Sequence, residues 1–485
     1  MIKRIFRVGL WLLILLLVVT AILLGGRILI PPQMEDDDHL RLKQEYLAKV
    51  AAAAIDAPTS PNLVVILFDD LGYGDLSVYG SRAVDTPNID RIAAAGLRFT
   101  NAYSPSPYCS ASRAGLLTGR HPTRMGLDHV LQPAGTWQDT LLRIGARNRQ
   151  LPAEEITLPE VLSAVGYATG MVGKWHLGDA SPSLPNDRGF DSYFGLLYSN
   201  DQGQPALWRD RQIIEPHPLD QSSLTHRYTK EAVAFLEVNR DRPFFLYMPH
   251  TFPHVPLFAS DPFRGRSDGG LYGDVIEELD SSVGTVMATL TRLGLADQTL
   301  VLITSDNGPW FQGSPGGTRG RKMDVFEGGM RVPFILHWPG HIAPAQVSEL
   351  LASGLDLFPT FLEMASLPLP RDRDYDGVSL VPLFAGGSPE LDRSILFTQI
   401  RKFQAIREER FKYHARHGVL YGNPMDWRWG PFILRGPWLF DLDVDPHESY
   451  DISGSHPAVA ERLAGKLGER QLAWNENPRG WIDPD

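Results

Sequence analysis

Cysteine is nearly absent: Cys109 is the only one in 485 residues. No intramolecular disulfide can form, and cysteine usage leaves the redox compartment open. A lone cysteine is ordinarily a small buried hydrophobe, so Cys109 needs context to be read otherwise. Positive charge is also in short supply, with 46 Lys and Arg against 57 Asp and Glu and a formal net charge of −11. That balance argues against a nucleic-acid partner, which needs a basic face. It also requires that any anionic substrate be met by locally clustered Lys, Arg, His or metal. There is no internal repeat and no region biased enough to be disordered throughout. What remains is an ordinary globular composition, 43% hydrophobic and 21% charged, long enough for one large domain with an appendage or for two.

Val8 to Leu24 is a long apolar run, preceded by Lys3, Arg4 and Arg7 and followed by Glu35-Asp36-Asp37-Asp38. It is near the ~17–25 residues a spanning helix needs. The one-sided basic flank predicts a cytoplasmic N-terminus with the remainder outside. The expectation is an uncleaved transmembrane helix within residues 1–30, with a signal cut after Ala21 as the alternative. The chain would then be membrane-anchored, its body periplasmic or lumenal. Residues 31–60 read as a linker holding a short Ala-rich helix over Leu40 to Ile55 and a breaker at Ala57-Pro58-Thr59-Ser60-Pro61.

Strands and helices alternate from there. Leu63 to Phe68 is a continuous apolar, β-branched run, the mark of a strand buried on both faces. Thr86-Pro87 opens a helix carrying Ile89 and Ile92. Thr157-Leu158-Pro159-Glu160 is a capping box. Phe244 to Met248 and Leu300 to Thr304 are further buried strands. Between them Ile276, Leu279, Val283, Val286, Leu290 and Leu293 form one helical stripe. This alternation predicts an α/β domain over 61–385 with a mostly parallel central sheet and helices on both faces. In 386–485 the runs Ser394 to Gln399, Gln404 to Arg407, Phe411 to His414 and Trp438 to Leu442 predict a small antiparallel subdomain. A helix near Val459 to Leu467 closes it.

Ligands of an open parallel sheet bind beyond the carboxyl ends of its strands. Those ends carry Asp69-Asp70, Lys174-Trp175-His176, His250 with His254, and Asp306-Asn307. Asp69, Asp70, Asp306 and Asn307 are hard oxygen donors, suited to Ca²⁺ or Mg²⁺ rather than Zn²⁺. Cys109 precedes a short helix, Cys109-Ser110-Ala111-Ser112-Arg113, whose N-terminus favours an anion, with Arg113 one turn on. A plain thiol is poorly matched to a hard cation, and residue chemistry alone leaves the cysteine unexplained.

The stretch from Cys109 to Arg113, with Leu117-Thr118-Gly119-Arg120 behind it, resembles the signature of the type I, formylglycine-dependent sulfatases. Further blocks follow in the family's order. Leu67-Phe68-Asp69-Asp70-Leu71-Gly72-Tyr73-Gly74-Asp75 looks like its first metal motif, and Gly173-Lys174-Trp175-His176-Leu177-Gly178 like its Lys/His block. Tyr198-Ser199-Asn200-Asp201-Gln202-Gly203 is similar to a segment of the arylsulfatase A branch. Ser305-Asp306-Asn307-Gly308 looks like the second metal motif. Lys322 with Phe326-Glu327-Gly328-Gly329-Met330 looks like the block of the last lysine, and Leu439-Phe440-Asp441-Leu442 like the C-terminal strand.

The resemblance implies an alkaline-phosphatase-like fold and a sulfuric ester hydrolase. It implies that an export-coupled formylglycine-generating enzyme converts Cys109 to Cα-formylglycine. One Ca²⁺ would be bound by Asp69, Asp70, Asp306, Asn307 and the modified Cys109. Lys174, Lys322 and Ser199 would contact sulfate. Arg113 would hold the hydrated aldehyde, His254 with Lys322 would protonate the leaving alcohol, and His176 would act as base. The substrate would be a sulfated small molecule or glycan. Two departures stand out: Ala111 where Pro is commoner, and a bulky Arg319-Gly320-Arg321-Lys322-Met323-Asp324-Val325 segment. Trp310, Phe311, Trp427 and Trp429 are candidates for the substrate mouth. The rival readings are a phosphonate monoester or phosphodiester hydrolase of the same superfamily, and a membrane-tethered binding protein whose cysteine never matures.

Overall fold

The computed structural model describes residues 9, 11, 13–17, 36–52, 61–144, 148–387, 393–399, 402–418 and 434–483. Eleven strands run from the first described core segment to residue 348: β1 (Asn62–Phe68), β2 (Leu97–Phe99), β3 (Ala102–Tyr103), β4 (Ala168–Lys174), β5 (Ser192–Leu196), β6 (Leu207–Arg209), β7 (Gln212–Glu215), β8 (Phe244–Pro249), β9 (Thr299–Ser305), β10 (Phe334–His337) and β11 (Gln346–Ser348). All but β3 form one ten-stranded sheet in the order β11-β2-β10-β9-β1-β8-β4-β5-β6-β7.

The sheet is mixed rather than mostly parallel, which corrects the expectation. β9, β1, β8, β4 and β5 pair in parallel, whereas β10 is antiparallel to both β9 and β2, and the β5-β6-β7 side is antiparallel too. The reason for the miss is strand length. The parallel strands are apolar runs of five to seven residues, and β1, β8 and β9 are buried at every position. β2, β6 and β11 have three residues each and carry no periodicity to read.

The helical stripe packs as expected. The Gly270–Arg292 helix buries Ile276, Leu279, Val283, Val286 and Leu290, and these join Val64, Ile66, Val301 and Ile303 in the core on one face of the sheet. The other face is covered by the Cys109–Thr118 and Leu158–Ala164 helices and by Leu357, Phe358 and Phe361. Thr157 and Glu160 form the capping box that opens the Leu158–Ala164 helix.

A second sheet is antiparallel: β13 (Ser394–Gln399), β14 (Lys402–Glu408), β15 (Phe411–His414) and, next to β15, β18 (Trp438–Asp441). The pairs β12 (Ala352–Ser353) with β3, and β16 (His417–Gly418) with β17 (Leu434–Arg435), complete the strands. The Pro457–Glu476 helix lies against β14 and β15. A buried ionic knot joins this sheet to β3 through Glu327. Glu327 accepts from Tyr103 (2.7 Å) and pairs with Arg407 (3.4 Å) and Lys412 (3.1 Å); Lys412 also meets Glu448 at 3.1 Å.

The N-terminal expectation is corrected. Of the Val8–Leu24 run only residues 9, 11 and 13–17 are described, in helical conformation. No helix among the described residues is long and apolar enough to cross a membrane. The transmembrane helix, the membrane as a partner and the periplasmic or lumenal placement read from it are not supported. In the segment read as a linker, Asp37–Ala51 is a helix docked on the body. Its Lys43 is buried, donating to the carbonyls of Ala153 (2.8 Å) and Glu155 (2.9 Å) and pairing with Glu160 at 2.6 Å. Trp427 and Trp429 lie outside the described residues.

Candidate active site

Four neighbouring parallel strands, β9, β1, β8 and β4, end at one edge, and the predicted polar residues meet there. β1 runs into Asp69 and Asp70, β4 ends on Lys174 with His176 two residues on, and β9 runs into Asp306 and Asn307. Asp70 and His176 have φ of 67° and 65°. That left-handed turn is a costly conformation for a residue with a Cβ, and at each position it takes the side chain off the strand direction at the site. Backbone donors hold the corner: Asp306 N–H donates to Phe68 O (3.1 Å), and Asp70 N–H to the Asp306 carboxylate Oδ1 (3.1 Å).

Cys109 is the first residue of the Cys109–Thr118 helix, every residue of which is buried. Ala111 sits in its first turn, where Pro would also be tolerated, so the departure from the signature leaves the helix unaltered. Arg113, one turn on, reaches the carboxylates: Nε to Asp306 Oδ2 at 3.0 Å, Nη2 to Asp306 at 2.9 Å and to Asp69 at 3.7 Å. Lys174 Nζ donates to both Asp69 and Ser199. Lys322 Nζ meets Asp70 at 2.7 Å, and His254 Nε2 lies 3.7 Å from the same carboxylate.

Single acceptable ligand atoms of Asp69, Asp70, Cys109 and Asp306 lie within 4.8 Å of one another. Three buried carboxylates that close repel unless cations intervene. Asp69 is held well below the usual carboxylate range: burial opposes this, but Lys174, His254 and Arg113 outweigh it. Asp306 is pushed up to about 7 by burial and by Asp69. Asp69 Oδ1 and Asn307 Oδ1 are buried without a hydrogen-bond partner. An acid cluster with spare oxygens and no ring nitrogen in the donor set fits a hard divalent cation. Burial drives the Cys109 thiol far above its ordinary range, so it is not a thiolate here.

The histidines divide. His176 is buried with its Nε2 at 3.1 Å from Leu131 O and its Nδ1 without a partner; burial, Lys174 and Arg113 hold it well below the usual imidazole range. His250 is packed against Phe68 and Tyr228, with both ring nitrogens unpartnered, and burial holds it at about 3. Of the two histidines after β8, His254 is the one beside the acid cluster. Trp310 and Phe311 stack edge to face at 5.0 Å, and Phe311 is exposed. The bulky segment around Lys322 is pinned by Arg321 Nη1, which donates to Trp310 O (2.7 Å) and Gly313 O (2.6 Å). Sequence reasoning missed the partners that orient the histidines: Leu131 by its carbonyl, and Asn200 and Gln221. A backbone carbonyl carries no side-chain signal, and Asn200 stood unexplained inside the Ser199 block.

The sulfatase family model matches residues 61–367, well over half of the chain. The chain belongs to the sulfatase family. A second family model, the C-terminal part of N-sulphoglucosamine sulphohydrolase, matches residues 321–472 of this sulfatase. Arylsulfatase A of Homo sapiens is 38% identical over 469 residues, covering 88% of this chain and 89% of that protein. N-acetylgalactosamine-6-sulfatase of Homo sapiens is 40% identical over 452 residues, covering 85% of each. Among solved structures, a sulfatase from Pseudoalteromonas sp. superposes with a TM-score of 0.76 at 27% identity, over 92% of this chain and 96% of that one. These relatives make the chain an enzyme, a hydrolase of sulfuric esters. Its fold is the alkaline-phosphatase-like α/β fold of the sulfatases with a mixed sheet and a C-terminal antiparallel sheet.

Proposed function

We propose that this sulfatase uses a Cα-formylglycine made from Cys109 as nucleophile, beside one Ca²⁺ held by Asp69, Asp70, Asp306, Asn307 and the modified residue 109. The observation that carries this reading is a fully buried thiol facing three carboxylates. As sulfur it is neither a nucleophile nor a match for hard donors; an oxygen at the same place is both. When bound, Ca²⁺ supplies Lewis-acid polarisation and positive charge toward sulfate oxygens, and the hydrated aldehyde supplies an oxygen nucleophile.

The chain's own residues do the rest. Lys174 and Lys322, both buried against carboxylates, give the sulfate group its local positive charge in an acidic protein. Ser199, already bonded to Lys174, adds a hydroxyl contact. Arg113 holds the hydrated side chain of residue 109 in register with Asp306. His254, with Lys322, gives a proton to the leaving alcohol oxygen, and His176 takes one at its free Nδ1. Residues 61–385 form the catalytic domain and 386–485 its C-terminal subdomain. Cys109 is 1% exposed, so a formylglycine-generating enzyme must act on it before the chain folds. The substrate class is a sulfated small molecule or glycan; a relative named for a sulfated amino sugar favours the glycan.

The test is the intact mass of active enzyme, together with its rates on matched sulfate and phosphate esters. Conversion of thiol to aldehyde lowers the mass. An unmodified thiol in fully active protein overturns the nucleophile, and faster turnover of the phosphate esters overturns the ester class in favour of a phosphohydrolase.

A further inference from the structure

The ring of His254 is bracketed by acceptors on one side. Its Nδ1 lies 3.2 Å from Asn200 Oδ1 and 2.5 Å from Val255 O. Neither oxygen can donate, so Nδ1 carries the hydrogen. The opposite nitrogen, Nε2, is the one turned toward Asp70. His176 has the reverse arrangement, with Nε2 on Leu131 O and Nδ1 free. The two site histidines thus hold opposite tautomers, each set by an oxygen behind it.

For His254 that oxygen belongs partly to a side chain, and an amide can be turned either way. The surroundings of Asn200 allow one orientation. Its Nδ2 donates to Gln221 Oε1 at 2.9 Å and to Pro256 O at 3.0 Å. Gln221 is fixed in turn, because its Nε2 donates to Asn200 O at 3.2 Å. With both donors of Asn200 engaged, Oδ1 is the atom left for the imidazole. Asn200 is 2% exposed, and in such a dry place reversing the amide would set Nδ2 against an N–H and leave Oδ1 facing two oxygens.

We propose that Asn200, oriented by Gln221, is a positioning residue that, together with the Val255 carbonyl, fixes the tautomer and aim of His254, so that Nε2 faces the leaving-group oxygen. This rests on the role given to His254 above. In that step an oxygen of the hydrated residue 109 would bond to sulfur as the S–O bond to the leaving group breaks, whose electron pair stays on the leaving oxygen. That oxygen takes the Nε2 proton of the doubly protonated ring, and the imidazole that remains keeps its Nδ1 proton on Asn200 and Val255. A misaimed His254 costs rate only where the leaving group needs the proton. An alkyl or sugar alcohol does, whereas 4-nitrophenolate leaves without one.

The experiment compares kcat/KM, which reports the steps through S–O cleavage, for an alkyl sulfate and for 4-nitrophenyl sulfate. His254→Ala is the reference. Asn200→Leu should lower kcat/KM on the alkyl sulfate by about 10²-fold, the low end of a general-acid contribution, and on 4-nitrophenyl sulfate by no more than about 3-fold. Asn200→Asp, which keeps an acceptor for Nδ1–H, should recover most of the alkyl sulfate rate. Gln221 lies at the edge of the network and is only part-buried, so a second pair is available should Asn200→Leu not fold: Gln221→Leu should show the same bias more weakly, and Gln221→Glu should not. Equal losses on both substrates across these variants would mean a merely structural role and overturn the inference. If His254→Ala itself shows no leaving-group bias, the role of His254 falls and this inference with it. If His254→Ala shows the bias and the Asn200 and Gln221 variants do not, the inference alone is wrong.

Discussion

Side chains at the site are asked to be buried and ionised together, and each meets that demand through a partner one bond away. Residue 109 is the exception, since its burial removes thiolate chemistry. Cys109→Ala should abolish turnover while the protein stays folded, because Ala is the best helix former and the lost burial is one sulfur atom. Circular dichroism and a sulfate-ester assay check it; retention of more than a few per cent of activity would contradict the assignment. The acid cluster makes a second demand. Protein purified without added metal should contain about one calcium per chain, and exhaustive chelation should lower the melting temperature as well as the activity, since Asp69, Asp70 and Asp306 then face one another with only Arg113, Lys174 and Lys322 beside them. Stoichiometric zinc, or a melting temperature that chelation leaves unmoved, speaks against Ca²⁺.

Elements position these residues with little slack. β4 is closest to its neighbours where Lys174 enters the site: a Cβ on Gly173 would meet Pro249 O at 1.8 Å, and one on Gly195 would meet Gly173 O at 1.8 Å. Gly173 also has φ of 133°, a region essentially restricted to glycine. Gly173→Ala should therefore cost at least the ~1–3 kcal/mol of an overpacked core and displace Lys174; urea unfolding with an activity assay measures both. This is also the scale at which sequence reasoning was strongest. β1, β8 and β9 were readable because strands buried on both faces are unbroken apolar runs, and the edge they share was readable because Asp69-Asp70 and Asp306-Asn307 follow two of them. The β2 and β10 side was not, since its short strands follow from pairing rather than pattern. Nor were the left-handed turns at Asp70 and His176, which depend on contacts from distant strands. Among site residues, those in matched blocks were legible, while the network of Asn200, Gln221 and Leu131 O exists only in three dimensions.

Across the whole molecule, segments far apart in sequence converge on buried ion pairs. Glu155 is fully buried between Arg120 (2.7 Å) and Arg479 (3.0 Å). Burial works to raise it, yet Arg120, Arg479 and Arg373 hold it at about 2, below its ordinary 4.5. A carboxylate depressed in the folded state stabilises fully above its unfolded pKa, and that contribution fades as pH falls from 4.5 toward 2. Glu155→Gln should thus destabilise by a few kcal/mol at pH 7, and the gap to the wild type should narrow toward pH 3. Melting curves across that range decide it; a gap that widens on acidification would refute the assignment. The same corner holds Trp481, whose ring lies under Arg120, Arg373 and Arg479 at 4.5, 4.9 and 4.5 Å and stacks on His39 at 4.0 Å. Arg120 lies two residues past the helix that starts at Cys109, so this helix is fully clasped only after residue 481 has been synthesised. Roughly 370 residues separate the two. At about 5–20 residues per second, translation grants the cysteine an interval on the order of 20–70 s before the clasp can close.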